Sequence, residues 1–107
     1  MQSKIKDIVD ASLKKMFSWR EHLHAHPELS FLEVNTSAFV ASNLEAMGIP
    51  YQHGIAGTGV VALIKGQNPE KQCIALRADL DALPIHEENE VAYKSKKQGI
   101  MHACGHD

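Results

Sequence analysis

Apolar residues recur at three- and four-residue steps from Ile5 through Ile8, Val9, Leu13, Met16 and Phe17 to Leu23, with Lys4, Lys6, Asp10, Lys14 and Lys15 between them. This period predicts an amphipathic helix that packs one face on a sheet. Pro27 disfavours helical geometry at His26 and sets the approximate end. Ser30-Phe31-Leu32-Glu33 matches a capping box, in which a serine oxygen and a glutamate three residues on satisfy free amides of a first turn. It predicts a second helix with Val34, Ala38, Ala41, Leu44 and Met47 on one face and Gly48 as its left-handed stop. Beyond Pro50 the pattern changes. Tyr51-Gln52-His53 reads as a short strand, Gly54 to Gly59 as a turn, and Gly59 to Ile64 as an apolar, β-branched strand. Cys73 to Ala78 is apolar until Arg77 and reads as a second buried strand, pairing with the Gly59 to Ile64 run as an antiparallel hairpin across a short polar connection. From Pro84 to Lys97 the sequence is irregular.

Composition narrows this picture. With 107 residues, 44% of them apolar and 22% charged, the chain has material for one modest core, or part of one. A formal charge of -2 provides no basic field for nucleic acid or for an anionic membrane surface, and the Lys94, Lys96, Lys97 group reads as a solvated loop. The alternating charged and apolar N-terminus lacks the apolar run of a signal peptide, and no later segment has the length of a membrane span, so the expected location is cytoplasmic. Two cysteines far apart do not form a disulfide framework and are expected to remain thiols.

The densest chemistry lies in Met101-His102-Ala103-Cys104-Gly105-His106-Asp107. In extended backbone, side chains two apart share a side, so Cys104 and His106 aim at one point across the small Gly105. A thiolate and an imidazole suit zinc or a neighbouring transition metal, but two ligands fall short of the three or four that such a site needs. His102 has the same alternation and is a lesser candidate. Asp79 and Asp81 form a second feature at the end of the predicted strand. Adjacent carboxylates repel unless a cation or a shared proton separates them; alternatively, one caps the following turn while the other faces water.

Four segments in register carry a resemblance: Trp19 to Phe31 (Trp-Arg-Glu-His-Leu-His-Ala-His-Pro-Glu-Leu-Ser-Phe), Gly57 to Ala62, Leu76 to Pro84 (Leu-Arg-Ala-Asp-Leu-Asp-Ala-Leu-Pro), and Met101 to Asp107. Together they resemble the N-terminal part of the metal-dependent amidohydrolases. That group comprises hippurate hydrolase, N-acyl-amino-acid amidohydrolases and auxin-conjugate hydrolases, within the wider aminoacylase and carboxypeptidase peptidase family. The resemblance implies an α/β fold: the N-terminal part of a zinc-peptidase-like catalytic domain, with two helices followed by a β-hairpin and further sheet. Residues 1–107 would form that portion, with the remaining ligands, the general-base glutamate and a lid domain lying after Asp107.

The resemblance further implies that Cys104 and His106 ligate a divalent centre, typically of two ions (Zn, Mn, Co or Ni). Asp81 falls on the aspartate of the wider family's His-x-Asp-x-x-Pro motif, which orients a ligand from outside the metal shell, and Asp79 stands where that motif has histidine. The implied substrate is a small N-acyl amino acid, with no nucleic-acid or membrane partner, and the full-length enzyme would be a homo-oligomer. The chain alone is expected to be inactive. A stand-alone metal-binding module and a non-catalytic remnant are the alternatives.

Other residues invite structural readings. His22 and His26 share a helix face but lack the glutamate that follows the first histidine of a zincin helix, and are expected to pack or hydrogen-bond. His24 and His53 are expected at the surface or in turns, Cys73 as a small buried hydrophobe, and Trp19 and Phe17 as packing residues. Gly57-Thr58-Gly59 lacks the spacing and following helix of a nucleotide loop.

Overall fold

The computed structural model describes all 107 residues. Helix α1 spans Gln2–Ala25 and ends where the sequence predicts, because His26, directly before Pro27, leaves the helical region at φ −123° and ψ 60°. Helix α2 spans Val34–Ala46. Its C-terminus closes as a Schellman turn: Gly48 takes φ +70°, the Gly48 amide donates to the Glu45 carbonyl at 2.9 Å, and the Ile49 amide donates to the Leu44 carbonyl at 3.0 Å.

The N-terminus of α2 departs from the capping-box expectation. Its N-cap is Glu33 and carries no side-chain cap bond. Glu33 instead accepts the Phe31 amide at 2.8 Å and the Thr58 hydroxyl at 2.6 Å. The free amides of the first turn are met from further back, by Glu28. Its buried carboxylate accepts the Asn35 amide at 3.2 Å, the Thr36 amide at 2.5 Å and the Thr36 hydroxyl at 2.7 Å. A carboxylate there also meets the positive end of the helix dipole. The packed face of α2 runs through Thr36, Ser37 and Ala41, while Val34 and Ala38 face outward.

Strands β1 (Tyr51–Ile55) and β2 (Gly59–Ala62) pair antiparallel, with Tyr51 opposite Ala62, His53 opposite Val60 and an irregularity between His53 and Ile55. Ala56 at φ +53° and Gly57 at φ +100° turn the chain, and a side chain at Gly59 would strike the Ile55 carbonyl oxygen at 2.6 Å. The hairpin packs on α2. The two helices followed by a hairpin are therefore present, but β2 takes the nearer partner, β1, and Cys73–Ala78 forms no ladder. An apolar run of that kind is stable as a strand only when neighbours cover both faces. Within this chain Ile74 remains 81% exposed and Leu76 96%. Cys73 is likewise exposed, not buried.

Two isolated bridges hold the second half of the chain. Leu29 pairs in parallel with Ala82, and Leu83 pairs antiparallel with Met101 through amide-to-carbonyl bonds of 2.9 and 3.1 Å. They place the Asp79 to Leu83 segment between the α1–α2 connection and the C-terminal tail. The buried residues are mostly polar: His24, Glu28, Glu33, Thr36, Ser37 and Glu87, beside Pro27 and only three alanines, Ala25, Ala41 and Ala82. The apolar stripe of α1 lacks the predicted sheet beneath it, with Ile8 65% and Phe17 58% exposed. Trp19 is half-buried, its indole N–H donating to Asn43 Oδ1 at 2.9 Å. So much uncovered apolar surface favours association. The purified 107-residue chain should elute ahead of its monomer position, with light scattering reporting the mass; a strictly monomeric peak would contradict this.

Candidate metal centre

A cavity of about 730 Å³ opens between the C-terminal half of α1 and the segments that follow Ala78. Apolar residues of α1, among them Leu13, Phe17 and Leu23, form one wall, and Asp79, Asp81, His102, Cys104, His106 and Asp107 lie along the other. All five candidate site residues read from the sequence thus line one cavity. The Leu83–Met101 bridge is the cause, since it lays the aspartate segment beside the tail despite about twenty intervening residues.

Their individual settings differ. Asp79 is exposed and pairs with the far more exposed Arg77 guanidinium at 2.6 Å, an arrangement worth little in water. Asp81 is half-buried. Cys104 and His106 are exposed to the cavity. The half-buried His102 has the one buried side-chain nitrogen without a hydrogen-bond partner, Nε2. Burial, helped by the nearby His24 charge, pushes the His102 pKa down against the pull of Asp107 and Asp81, so the ring stays neutral with a nitrogen free to accept.

A sulfur, an imidazole and an orphaned imidazole nitrogen on one wall fit a borderline-soft divalent ion in chemical type. They do not complete a shell, because no three His, Cys, Asp or Glu side chains of the chain converge as a metal-holding group.

The most strongly organised charges lie beside the tail, where sequence reasoning expected none. His24, expected at the surface, is 4% exposed. Its Nε2 lies 3.0 Å from both carboxylate oxygens of Glu87, and its Nδ1 lies 2.9 Å from Asp107 Oδ2. Ionised carboxylates only accept, so both ring nitrogens donate and the ring is an imidazolium. Burial works against that charge, but the two carboxylates outweigh it and raise the pKa. Glu87 faces the same opposition from burial. Donation by the Ser95 amide at 2.7 Å, by His24 and by Asn89 Nδ2 at 3.1 Å overcomes it and pulls the Glu87 carboxyl down to about 2. Arg20 Nη2 donates to Asp107 Oδ2 at 3.0 Å, completing a set of two cations and two anions. The one available signal was that Arg20 and His24 are four apart and share a helix face; Glu87, in the acidic run Glu87-Glu88-Asn89-Glu90, was indistinguishable from its neighbours.

These shifts fix the pH dependence of stability. Glu87 and Glu28 titrate below the ordinary 4.5, so their contribution is full above that value and is lost as pH falls through their folded values, about 2 for Glu87. His24 titrates above the ordinary 6.5, so its contribution is full below that value and is lost as pH rises through its folded value. His102 and His26 titrate below the ordinary 6.5 and add a loss as pH falls under that value, so urea midpoints should be highest at about pH 6.5 and fall on both sides. A midpoint still rising between pH 7 and 8 would contradict the assigned imidazolium.

Comparison with known proteins agrees with this architecture. Residues 75–107 match the model of peptidase family M20/M25/M40. An N-acyl-L-amino acid amidohydrolase of Geobacillus stearothermophilus is 47% identical over 99% of this chain, which corresponds to 28% of that protein. Thermostable carboxypeptidase 1 of Saccharolobus solfataricus is 48% identical over 82% of the chain and 22% of its own length. Among solved structures, the Bacillus subtilis YXEP protein, described as a dinuclear metal-binding peptidase of the M20 family, superposes with a TM-score of 0.83 at 44% identity. That match covers 91% of this chain and 27% of the YXEP chain. The chain thus spans about a quarter of the length of the curated relatives it matches. The ordered motifs, the match at residues 75–107 and the shared fold together make this chain similar to the N-terminal quarter of proteins of peptidase family M20/M25/M40.

Proposed function

We propose that residues 1–107 are the N-terminal portion of the catalytic domain of a metal-dependent amidohydrolase that cleaves the amide bond of small N-acyl amino acids. The observation that supports this most directly is that Asp81, Cys104 and His106 line the same cavity in a fold similar to that of an M20 peptidase. The amidohydrolase relative is named for that substrate class, while the carboxypeptidase relative is named for another hydrolysis in the same family. In this reading the longer parent is a cytoplasmic homo-oligomer that holds two divalent ions, drawn from Zn, Mn, Co and Ni. No helix of the chain is long and apolar enough to cross a membrane.

Cys104, as thiolate, and neutral His106 are the ligands this chain contributes. Both must lose a proton to bind, so affinity falls in acid. A bound divalent ion supplies a water of pKa about 7 in place of about 15.7, and polarises the scissile carbonyl. Asp81 orients a ligand of the centre by hydrogen bonding, a contact whose loss commonly costs about 10- to 100-fold in affinity or activity. Asp79 and His102 rank below these three. Asp79 is already paired with Arg77, and His102 contributes a buried Nε2 that has no hydrogen-bond partner.

Two donors do not make a working centre. The isolated chain is expected to bind zinc weakly and to release no amino acid from N-acetyl or N-benzoyl substrates with zinc, manganese or cobalt, whereas the longer parent turns them over. Chelator competition and a ninhydrin assay check this. Tight one-to-one zinc binding by the 107-residue chain would support a self-sufficient metal module instead, and self-association of the chain without any response to metal would support a non-catalytic remnant.

A further inference from the structure

The contacts linking Arg20, His24, Glu87 and Asp107 have no part in the hydrolytic chemistry described above, yet they end on the residue next to His106. The tail is held to the rest of the chain at two places. At its start, Met101 exchanges backbone hydrogen bonds with Leu83. At its end, the Asp107 carboxylate receives His24 Nδ1 at 2.9 Å and Arg20 Nη2 at 3.0 Å. Between these anchors the Asp107 amide donates to the Cys104 carbonyl at 3.2 Å, closing a turn over Cys104, Gly105 and His106. These three residues are exposed, so packing does not hold their direction.

His24 is well suited to hold the second anchor. Its side chain is 5% exposed, and Glu87, at 2%, grips its far nitrogen with both oxygens. Glu87 is in turn fixed by the Ser95 amide and by Asn89. The ring therefore has one orientation open to it, and that orientation aims Nδ1–H at Asp107. Arg20, with a side chain 43% exposed, is the looser of the two donors.

We propose that His24 is a positioning residue for the metal-holding turn: locked by Glu87, it fixes Asp107 and thereby the direction in which Cys104 and His106 present their donors. This rests on the amidohydrolase reading and extends it to a residue of α1 that touches neither ion nor substrate.

The test is cobalt(II) titration of the longer parent, followed by the sulfur-to-cobalt charge-transfer absorption and by competition with a chromophoric chelator. His24→Gln, which keeps the volume but cannot bridge both carboxylates, should weaken cobalt binding about 10- to 100-fold, the usual cost of losing a contact that orients a ligand. It should also shift or weaken the charge-transfer band and lower kcat with KM retained. Because His24 acts through Asp107, the double variant with Asp107→Ala should lose no more than about twofold beyond the worse single variant. A His24→Gln protein that binds cobalt within about twofold of the parent, with an unchanged band, overturns the proposal. Should His24→Gln not fold, Asp107→Ala, at the open end of the same contact, is read with the same thresholds. Cys104→Ala separates the two levels. If it leaves band and affinity intact, the metal reading itself fails; if it abolishes the band while His24→Gln changes nothing, only the positioning role fails.

Discussion

Replacing Glu87 with alanine should destabilise the folded chain by about 3–5 kcal/mol, the usual cost of removing one partner from a buried ion pair. The side chains of Glu87 and His24 are 2% and 5% exposed, so water cannot replace the lost carboxylate. The imidazolium would keep only Asp107, and the Ser95 amide and Asn89 would lose their acceptor as well. Against a typical total stability of about 5–15 kcal/mol, such a loss leaves a measurable unfolded population at room temperature. The sparse apolar interior offers little to offset it, since alanines are its only buried hydrophobic residues. Urea denaturation followed by Trp19 fluorescence measures the change. Asp10→Ala serves as the contrast. Its ion pair with Lys6 is 48% and 74% exposed and should be worth less than about 1 kcal/mol. Equal costs for the two variants would mean that the buried network does not hold the chain together.

Loss of Cys104 is expected to have the largest effect on function. In the longer parent, Cys104→Ala should weaken zinc binding by more than the roughly 10- to 100-fold typical of an orienting contact, because a donor atom itself is removed, and hydrolysis should fall with it. Cys73→Ala is the matched control: Cys73 is also an exposed free thiol, but it lies outside the cavity. Zinc affinity and turnover of the two variants, measured side by side, decide the matter. Equal, small losses would remove Cys104 from the centre.

Much of the local structure was legible because it depends on local chemistry. Pro27 ends α1 and Gly48 ends α2, since a proline restricts the residue before it and a glycine tolerates positive φ whatever surrounds them. The Gly54 to Gly59 turn formed for the same reason. The misreadings concern partners. Ser30 to Glu33 has the spacing of a capping box, yet Glu28 caps the helix, because the chain reversal at Phe31, with φ +64°, carries that carboxylate over the first turn of α2. Cys73 to Ala78 has the composition of a buried strand, but composition does not provide the strands on either side of it. His24 is expected at the surface or in a turn, since nothing adjacent to it supplies a partner; only the docking of Glu87 and Asp107 against it reverses that.

For the site, the order of the motifs in the sequence determined the candidate donors, Cys104 and His106, and the aspartates beside them, because donor type and the softness of sulfur are properties of a few adjacent residues. The extended backbone expected from Cys104 to His106 is instead a turn, closed by the Asp107 amide on the Cys104 carbonyl. Tertiary structure alone decided that the aspartate segment and the tail share a cavity wall and that an imidazolium in α1 holds the end of that tail. Those facts depend on a backbone bridge between Leu83 and Met101 and on an ion pair between residues 63 positions apart. Contacts across such distances are selected by the free energy of the whole fold, in which burying two carboxylates is tolerated only where two cations and several amides meet them, and no local pattern encodes that sum.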